Sequence, residues 1–179
     1  MSSRVARCGC RNGSMQARFI GTIEAKLDQK GRAFLPAQFR KQLREAARQG
    51  EQEGCGDGDE RTGVTLVLRK DVFEKCLVLY PEEEWRLRLD SLRERLSIWS
   101  RREQTVFRLF VSQVEVVTLD ASGRLLIPKR YLRMAGIEGE VTFVGMDRVI
   151  EIWASPFVES ERLKEAEGRL GDDLEEMMR

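Results

Sequence analysis

The feature that most constrains this chain is a fifteen-residue internal repeat. Residues 26–40 read KLDQKGRAFLPAQFR, and residues 118–132 read TLDASGRLLIPKRYL, so the two segments align without a gap at a constant separation of 92 positions. The identical pairs are Leu27 and Leu119, Asp28 and Asp120, Gly31 and Gly123, Arg32 and Arg124, and Pro36 and Pro128. Chance agreement at turn-forming and charged positions together is improbable. We therefore expect two copies of one small structural unit.

The similarity continues beyond this segment with a smaller separation. Residues 64–67 (VTLV) resemble residues 141–144 (VTFV), and residues 77–80 (LVLY) resemble residues 150–153 (IEIW), now 73 positions apart. The first copy therefore carries an insertion of about nineteen residues. We place it at about residues 48–62, whose Gly, Asp and Glu content predicts a flexible surface loop rather than core.

Each copy is predicted to run strand, tight turn, strand, helix, strand, strand. The first strand ends at Asp-x-x-Gly, where the glycine can adopt positive φ and the aspartate can cap the turn. Pro36 and Pro128 end the return strands and open helices that reach about Ala47 and Met134. Gly136 suits the C-cap of the second helix.

Three further helices are predicted outside the repeated units. One presents a single apolar face, since its large residues recur at steps of four and three: Trp85, Leu89, Leu92, Leu96 and Trp99. Ser100 is predicted to cap a second helix that contains Val106, Leu109 and Phe110. The segment 156–178 forms the third. These helices either pack on the core of the chain or form subunit contacts.

The charge of the chain is close to neutral overall but unevenly distributed. The net charge is +1, yet the first eighteen residues contain four arginines and no acid, and residues 159–179 contain eight acids and four bases. A neutral total therefore does not exclude a nucleic-acid partner. No apolar run is long enough to cross a bilayer, and no apolar segment follows the basic N-terminus, so we expect a cytoplasmic protein without a membrane partner.

The composition argues against an enzyme. The chain has no histidine, which removes the usual general base, and it has no Gly-rich phosphate-binding loop. Its cysteines are Cys8, Cys10, Cys55 and Cys76, and the spacing of the first two is too short for a C-x2-C zinc site. We expect reduced thiols, no metal, no cofactor and no small-molecule substrate.

The two turns, D-Q-K-G-R and D-A-S-G-R, are the candidate functional elements. A tight turn projects its side chains away from the sheet, so Lys30, Arg32 and Arg124 are predicted at exposed tips. The planar guanidinium fork can grip a phosphate or the edge of guanine with two hydrogen bonds. Alternatively, each Asp and Arg form only a local surface ion pair of little energetic value. The recurrence of Asp, Gly and Arg together weakens this alternative, but the residues alone leave both interpretations open.

The repeated motif makes the chain resemble a known family. LDxKGRxxxP in the first half, LDxxGRxxIP in the second, the intervening LYP…W and the later EIW resemble the MraZ family over about residues 17 to 165. The resemblance implies an α+β fold. In it, two tandem swapped-hairpin AbrB-like half-domains form one pseudo-two-fold β-barrel with flanking helices.

The resemblance also implies a division of the chain into five parts. Residues 1–16 are expected to form a disordered N-terminal extension. Residues 17–85 and 112–155 are the two half-domains, residues 86–111 the helical connector, and residues 156–179 the C-terminal helix.

The function implied is that of a sequence-specific transcriptional regulator. Members act as repressors of the division and cell-wall gene cluster, including their own promoter. Their implied partners are double-stranded promoter DNA with short direct repeats and further copies of the chain in a ring-shaped homo-oligomer, in the cytoplasm at the nucleoid. The DNA-binding residues carried over are Asp28, Lys30, Gly31, Arg32, Asp120, Gly123 and Arg124. Ser122 replaces the lysine in the second turn, so we expect the first turn to contribute more charge.

Two other functions remain open at this point. In an oligomeric protein-interaction scaffold, the amphipathic helices and the acidic tail would do the work and the turns would be structural. An AbrB-like antitoxin module is the other alternative. Such modules are short single-copy domains followed by a disordered toxin-binding segment, whereas this chain has two copies.

Overall fold

The computed structural model describes residues 17–51, 63–155 and 161–178. The predicted N-terminal extension, residues 52–62 of the predicted insertion, and residues 156–160 and 179 of the predicted C-terminal helix lie outside the described residues. Within the described ranges the chain combines strands and helices, which confirms the α+β class. Both copies follow the predicted order of strand, strand, helix, strand, strand.

The elements are as follows in chain order. The first copy contains β1 (Phe19–Lys26), β2 (Arg32–Phe34), α1 (Ala37–Glu51), β3 (Thr65–Lys70) and β4 (Leu77–Pro81). Two helices follow, α2 (Glu82–Arg95) and α3 (Arg101–Ser112). The second copy contains β5 (Val114–Thr118), β6 (Arg124–Leu126), α4 (Lys129–Ala135), β7 (Glu140–Asp147) and β8 (Val149–Ala154). The last element is α5 (Glu161–Met177).

The strands of the two copies pair with each other. The larger sheet has the order β1-β7-β8-β4-β3-β5, and its pairings are antiparallel throughout. The first strand of each copy therefore lies beside the third strand of the other, and β2 pairs with β6 in a separate ribbon. If each strand is replaced by its equivalent in the other copy, the same strand order is obtained in reverse. Across the described residues the pairings give an open six-stranded sheet and a two-stranded ribbon, so the closed barrel stays a prediction.

The sheet register corrects the sequence alignment of the third strands. Lys26 lies opposite Glu140, and its repeat equivalent Thr118 lies opposite Thr65. Thr65 is thus equivalent to Glu140, a separation of 75 rather than the 77 implied by matching VTLV to VTFV. A two-residue shift leaves every side chain on its original face of the strand, so the apolar pattern alone does not separate the two alignments.

The insertion is consequently divided among three places. Eight of the extra residues lengthen α1, which has 15 residues against 7 in α4, and nine lie between α1 and β3. The other two lie in the loop between β3 and β4, because the fourth strands keep the predicted separation of 73 from Val78 to Glu151. Residues 48–51 of the predicted flexible loop belong to α1, which continues to Glu51. The helix continues because neither glycine nor proline interrupts residues 37–49.

The main core lies between the sheet, the ribbon and helices α1 and α4. Repeat-equivalent residues fill it in pairs: Leu35 with Ile127, and Phe39 with Tyr131, all of which are buried. The sheet contributes the buried side chains of Phe19, Leu66, Leu68, Leu77, Leu79, Phe143, Ile150 and Ile152. Each fully buried side chain of this size contributes about 1.5–3 kcal/mol relative to exposure. The pseudo-symmetry of the sequence is therefore also a symmetry of packing.

Helices α2 and α3 cover a second, smaller cluster. The rings of Trp85 and Phe110 stack with centroids 5.4 Å apart, and the guanidinium carbon of Arg69 lies 3.9 Å from the Phe110 centroid. Ser100 caps α3 as predicted, since the Glu103 amide donates to its Oγ at 3.3 Å.

The predicted single helix face from Trp85 to Trp99 is wrong beyond Arg95. Leu96 adopts extended backbone as the C-cap of α2, and Trp99 lies in the following turn with 89% of its surface exposed. The Trp99 amide donates to Ser97 Oγ there. Serine competes for backbone hydrogen bonds in this way, which ends the helix despite the continuing apolar spacing.

The C-terminal helix α5 has no described side chain that is buried. Its apolar residues Leu170, Leu174 and Met177 are exposed, although they share one helix face as the spacing predicts. Within the described ranges, no helix has both the length and the apolar character required to cross a membrane.

One glycine in the larger sheet gives a stability test. A Cβ at Gly145 would lie 2.5 Å from the backbone nitrogen of Ile20 and the carbonyl carbon of Phe19. Because backbone cannot move aside as a side chain can, we expect Gly145→Ala to lower the free energy of unfolding by about 1–3 kcal/mol in chemical denaturation. Gly168→Ala is the matched control, since a Cβ there meets nothing within 4 Å. Equal stability of the two variants would contradict the close packing of β1 on β7.

Candidate nucleic-acid interface

The first turn is organised around the carboxylate of Asp28. The backbone amides of Lys30 and Arg32 donate to its Oδ1 at 2.9 and 2.8 Å, and Arg32 Nε donates to its Oδ2 at 2.6 Å. The Gly31 amide donates to the Asp28 carbonyl at 2.9 Å. Gly31 has φ +84°, and a Cβ there would lie 2.9 Å from the Ile127 carbonyl oxygen, so the position requires glycine.

The second turn repeats this geometry. The amides of Ser122 and Arg124 each donate to Asp120 Oδ1 at 2.9 Å, and Arg124 Nε donates to Oδ2 at 2.8 Å. Gly123 has φ +81°. The sequence repeat Asp-x-x-Gly-Arg is thus a repeated three-dimensional motif. Each Asp and Arg do form the local ion pair of the alternative interpretation. That pair engages Nε of the arginine and leaves its terminal nitrogens for another contact.

The two turns are locked to each other through the β2–β6 ribbon. The Leu35 amide donates to the Gly123 carbonyl at 3.1 Å, and the Ile127 amide donates to the Gly31 carbonyl at 3.0 Å. The glycine of each turn is therefore held by the strand that leaves the other turn. Neither turn can be displaced without disturbing its counterpart.

This ribbon places both arginines on one face. Ala33 and Leu125 point into the core, so their neighbours Arg32 and Arg124 point outward. The register sets Arg32 opposite Leu126, so the two arginines are diagonal neighbours about 7–8 Å apart on the ribbon. Phe34 lies opposite Arg124 and is exposed, with the Arg124 guanidinium carbon 5.8 Å from its ring.

The arginine side chains are anchored at one end and accessible at the other. Each has 32% of its side-chain surface exposed. Among the hydrogen bonds of the described residues, Arg32 and Arg124 donate through Nε and not through the terminal nitrogens. Since the guanidinium group is planar, fixing Nε fixes the direction in which the terminal nitrogens project. Such a group is preorganised to bind a phosphate or a guanine edge.

The electrostatics keep the turn carboxylates ionised. The backbone amide of Arg32 is the main cause that lowers the pKa of Asp28, and the Arg32 side chain lowers it further, against partial desolvation. The pKa of Asp120 is lowered in the same way by Arg124. Both carboxylates therefore hold the turns over the physiological pH range.

The structure adds Arg40, a residue that sequence reasoning missed. Arg40 Nη1 donates to the Ser122 carbonyl at 3.2 Å, and its side chain covers Gly123 so closely that any Cβ there would overlap it. The repeat equivalent of Arg40 is Leu132, which covers Gly31 in the same manner. Each helix therefore covers the turn of the other copy.

Arg40 places a second positive charge at the second turn, where serine replaces the lysine of the first. Lys30 and Arg32 belong to the first turn, and Arg40 and Arg124 meet at the second, so each turn has two cationic side chains. No local pattern predicts this contact, because Arg40 is 82 positions from the serine that it contacts. Within the described ranges, acidic and cysteine side chains form no group that could bind a metal ion.

The backbone amide of Arg32 lowers the pKa of Asp28 more than the Arg32 side chain does, and this difference can be tested. In Arg32→Ala the backbone amide that donates to Asp28 remains, so we expect the pKa of Asp28 to rise only part of the way to its ordinary value. A carboxylate with a lowered pKa stabilises the fold above its unfolded pKa, and this stabilisation is lost as the pH falls through the folded value. NMR titration of the side-chain carboxyl carbons measures both aspartates. Asp120 is the internal control, and a complete return of Asp28 to the ordinary value would contradict the dominance of the backbone bond.

Comparison with known proteins gives consistent results over most of the chain. The family model described as "MraZ protein, putative antitoxin-like" matches residues 110–157. A transcriptional regulator MraZ of Bacteroides fragilis is 50% identical over 162 residues, which cover 90% of this chain and 92% of that protein. The transcriptional regulator MraZ of Bacteroides thetaiotaomicron is 48% identical, with 90% and 92% covered.

A more distant relative extends the comparison. The transcriptional regulator MraZ of Christiangramia forsetii is 33% identical over 159 residues, which cover 89% of this chain and 92% of that protein. Identity at this level over nearly the whole length, together with the repeated turn motif, establishes the relationship. The chain belongs to the MraZ family.

Proposed function

We propose that this chain is a transcriptional regulator that binds double-stranded DNA through its two arginine turns. One observation carries the proposal: two turns of the same geometry, Asp28 to Arg32 and Asp120 to Arg124, present their arginines on one face of one ribbon. The relatives above are named transcriptional regulators, which supports it. Regulation of transcription does not require catalysis, so we propose no enzymatic activity.

The proposed interface combines charge with geometry. Lys30, Arg32, Arg40 and Arg124 provide four positive charges near the ribbon, and phosphates of a duplex neutralise such charges with release of counterions. The two preorganised arginines then read base edges or adjacent phosphates, while Asp28 and Asp120 orient them. Gly31 and Gly123 allow the turns to be tight enough for close approach.

The finer features of the proposal follow from the family resemblance. The operator consists of short direct repeats in the promoter of the division and cell-wall gene cluster, including the promoter of this chain's own gene, and the effect is repression. The protein acts in the cytoplasm at the nucleoid as a ring-shaped homo-oligomer.

The proposed architecture follows from the strand exchange between the copies. The interlocked half-domains, residues 17–85 and 112–155, form one pseudo-two-fold barrel. The connector and the C-terminal helix flank it. The pairing of β1 with β7 and of β5 with β3 supports this arrangement.

The first test removes the arginine side chains of both turns. We expect Arg32→Ala combined with Arg124→Ala to weaken binding to the DNA upstream of the chain's own gene by at least about 30-fold, because each bidentate contact contributes roughly 1–3 kcal/mol. The logarithmic salt dependence of binding should become shallower by about two. Gel-shift titrations across a salt series measure both quantities.

The control for this test has the same loss of charge elsewhere. Arg86→Ala combined with Arg93→Ala removes two exposed arginines of α2 and should leave binding within about twofold of the unmodified chain. Light scattering should show an unchanged assembly in both double variants. Full affinity of the turn variant would refute the proposal.

The second test concerns Arg40. Arg40→Leu reproduces the apolar cover that Leu132 provides over Gly31, so it removes the charge while keeping the packing. We expect weaker DNA binding with a salt dependence shallower by about one, and little change in the free energy of unfolding. Arg40→Lys keeps the charge and should retain most of the salt dependence. An unchanged salt dependence in Arg40→Leu would remove Arg40 from the interface.

A further inference from the structure

The exposed apolar stripe of α5 requires a partner. Leu170, Leu174 and Met177 are 54%, 47% and 82% exposed and lie on one side of the helix. In proteins, most of the stability of a helix comes from packing of its apolar face against another element rather than from intrinsic propensity. The stripe therefore indicates an interaction surface.

The charges that border this stripe are acidic. At 100° per residue, Glu167 lies on one side of the stripe and Asp173 on the other. Residues 167–178 contain five acidic side chains and a single basic one, Arg169. The partner surface should accordingly be apolar along its centre and positively charged at its edges.

A groove along α2 has this character. It has a volume of about 400 Å³, and its helix residues recur at steps of three and four, so they form one face. Leu87 and Leu92 provide the apolar centre. The polar lining residues are Glu84, Arg88, Ser91, Arg95 and Arg148.

The groove retains positive charge after its internal ion pairs are counted. Glu84 is shared by Arg88 and Arg148, each 3.6 Å away. Arg95 has no carboxylate within ion-pair distance among the described residues. Arg148 also lies 3.9 Å from Asp147, so three arginines face two carboxylates. The groove keeps a net positive charge, which matches the acidic borders of α5 in sign.

We infer that α5 of one copy docks in the α2 groove of a second copy. Both surfaces are helical, both have their apolar residues at steps of three and four, and their charges are opposite, as in helix-in-groove recognition. Every copy carries both the donor helix and the acceptor groove, so the contact is heterologous and propagates from copy to copy. The inference gives a physical basis to the proposed self-association and is independent of DNA binding.

Reversal of charge in the full-length chain tests this contact. Glu167→Arg combined with Asp173→Arg should weaken self-association by about tenfold or more, measured by light scattering over a concentration series. Asp172→Arg combined with Glu175→Arg makes the same charge change on the opposite face of α5 and should leave association within about twofold. If both variants weaken association equally, the effect is one of net charge and the proposal fails.

A complementary change in the groove should restore the contact. Arg95→Glu alone should weaken association, and its combination with Asp173→Arg should recover most of the loss. Circular dichroism verifies that each variant keeps its helix content. Additive weakening in the combined variant would overturn the pairing of these two surfaces.

Disulfide trapping identifies the occupant of the groove. In a chain carrying Cys8→Ser, Cys10→Ser and Cys55→Ser, one variant receives Ser91→Cys and a second, tagged variant receives Asp173→Cys. Mild oxidation of the mixture should produce the mixed dimer of tagged and untagged chains. If the two are not cross-linked, or if a chain with both substitutions forms only the internal disulfide, the second copy is not the occupant.

These outcomes are separable from those of the DNA proposal. Loss of the mixed disulfide with intact gel-shift behaviour refutes the docking alone. Loss of DNA binding in the Arg32 and Arg124 variant with normal cross-linking leaves the docking intact.

Discussion

The carboxylate of Asp28, with its counterpart Asp120, is the constraint on which the arrangement of the site depends. A single side chain accepts two backbone amides and one guanidinium N–H, so it fixes the turn and the arginine at once. A carboxylate that accepts several N–H groups is strongly stabilised in its charged form, which agrees with its lowered pKa. The arginine therefore has little conformational freedom left to lose when it meets an anion.

The exchange of strands between the copies converts two local motifs into one surface. Each turn by itself would be an ordinary tight hairpin on a short ribbon, and an isolated two-stranded hairpin is marginally stable. The bonds from Leu35 to Gly123 and from Ile127 to Gly31 bring the turns together, while the buried pair Ala33 and Leu125 anchors the ribbon to the core. The spacing of the two arginines is thus set by backbone hydrogen bonds rather than by flexible side chains.

The sequence predicts the local structure well because its signals are local. Asp-x-x-Gly-Arg specifies a turn within five residues, the prolines mark where α1 and α4 begin, and Ser100 caps α3, all of which require no knowledge of the rest of the chain. The predicted helix face to Trp99 is wrong because Ser97 redirects the backbone although the apolar spacing continues. Local competition between side chain and backbone outweighed periodicity at that position.

Long-range relationships were only partly accessible from the sequence. The repeat indicated two equivalent halves, but the register of β3 was set by its partner β5, which no apolar pattern distinguishes from a two-residue shift. Arg40 was missed for the same reason: its role depends on α1 reaching the turn of the other copy. Contacts between the two copies, which result from the exchange of strands, leave no pattern in the residues that are adjacent to them in sequence.

The pairing of β1 with β7 has a consequence for how the chain is made. Phe19 pairs with Asp147, so β1 leaves the ribosome well before its partner strand has been synthesised. At about 5–20 residues per second, synthesis of the 128 residues from Ile20 to Asp147 takes roughly 6–26 s, during which β1 is an unpaired strand. Non-local pairing of this kind slows folding. A nascent chain stalled before residue 140 would hold the first half without the strand that completes it, so cotranslational assembly of this protein must wait for nearly its whole length.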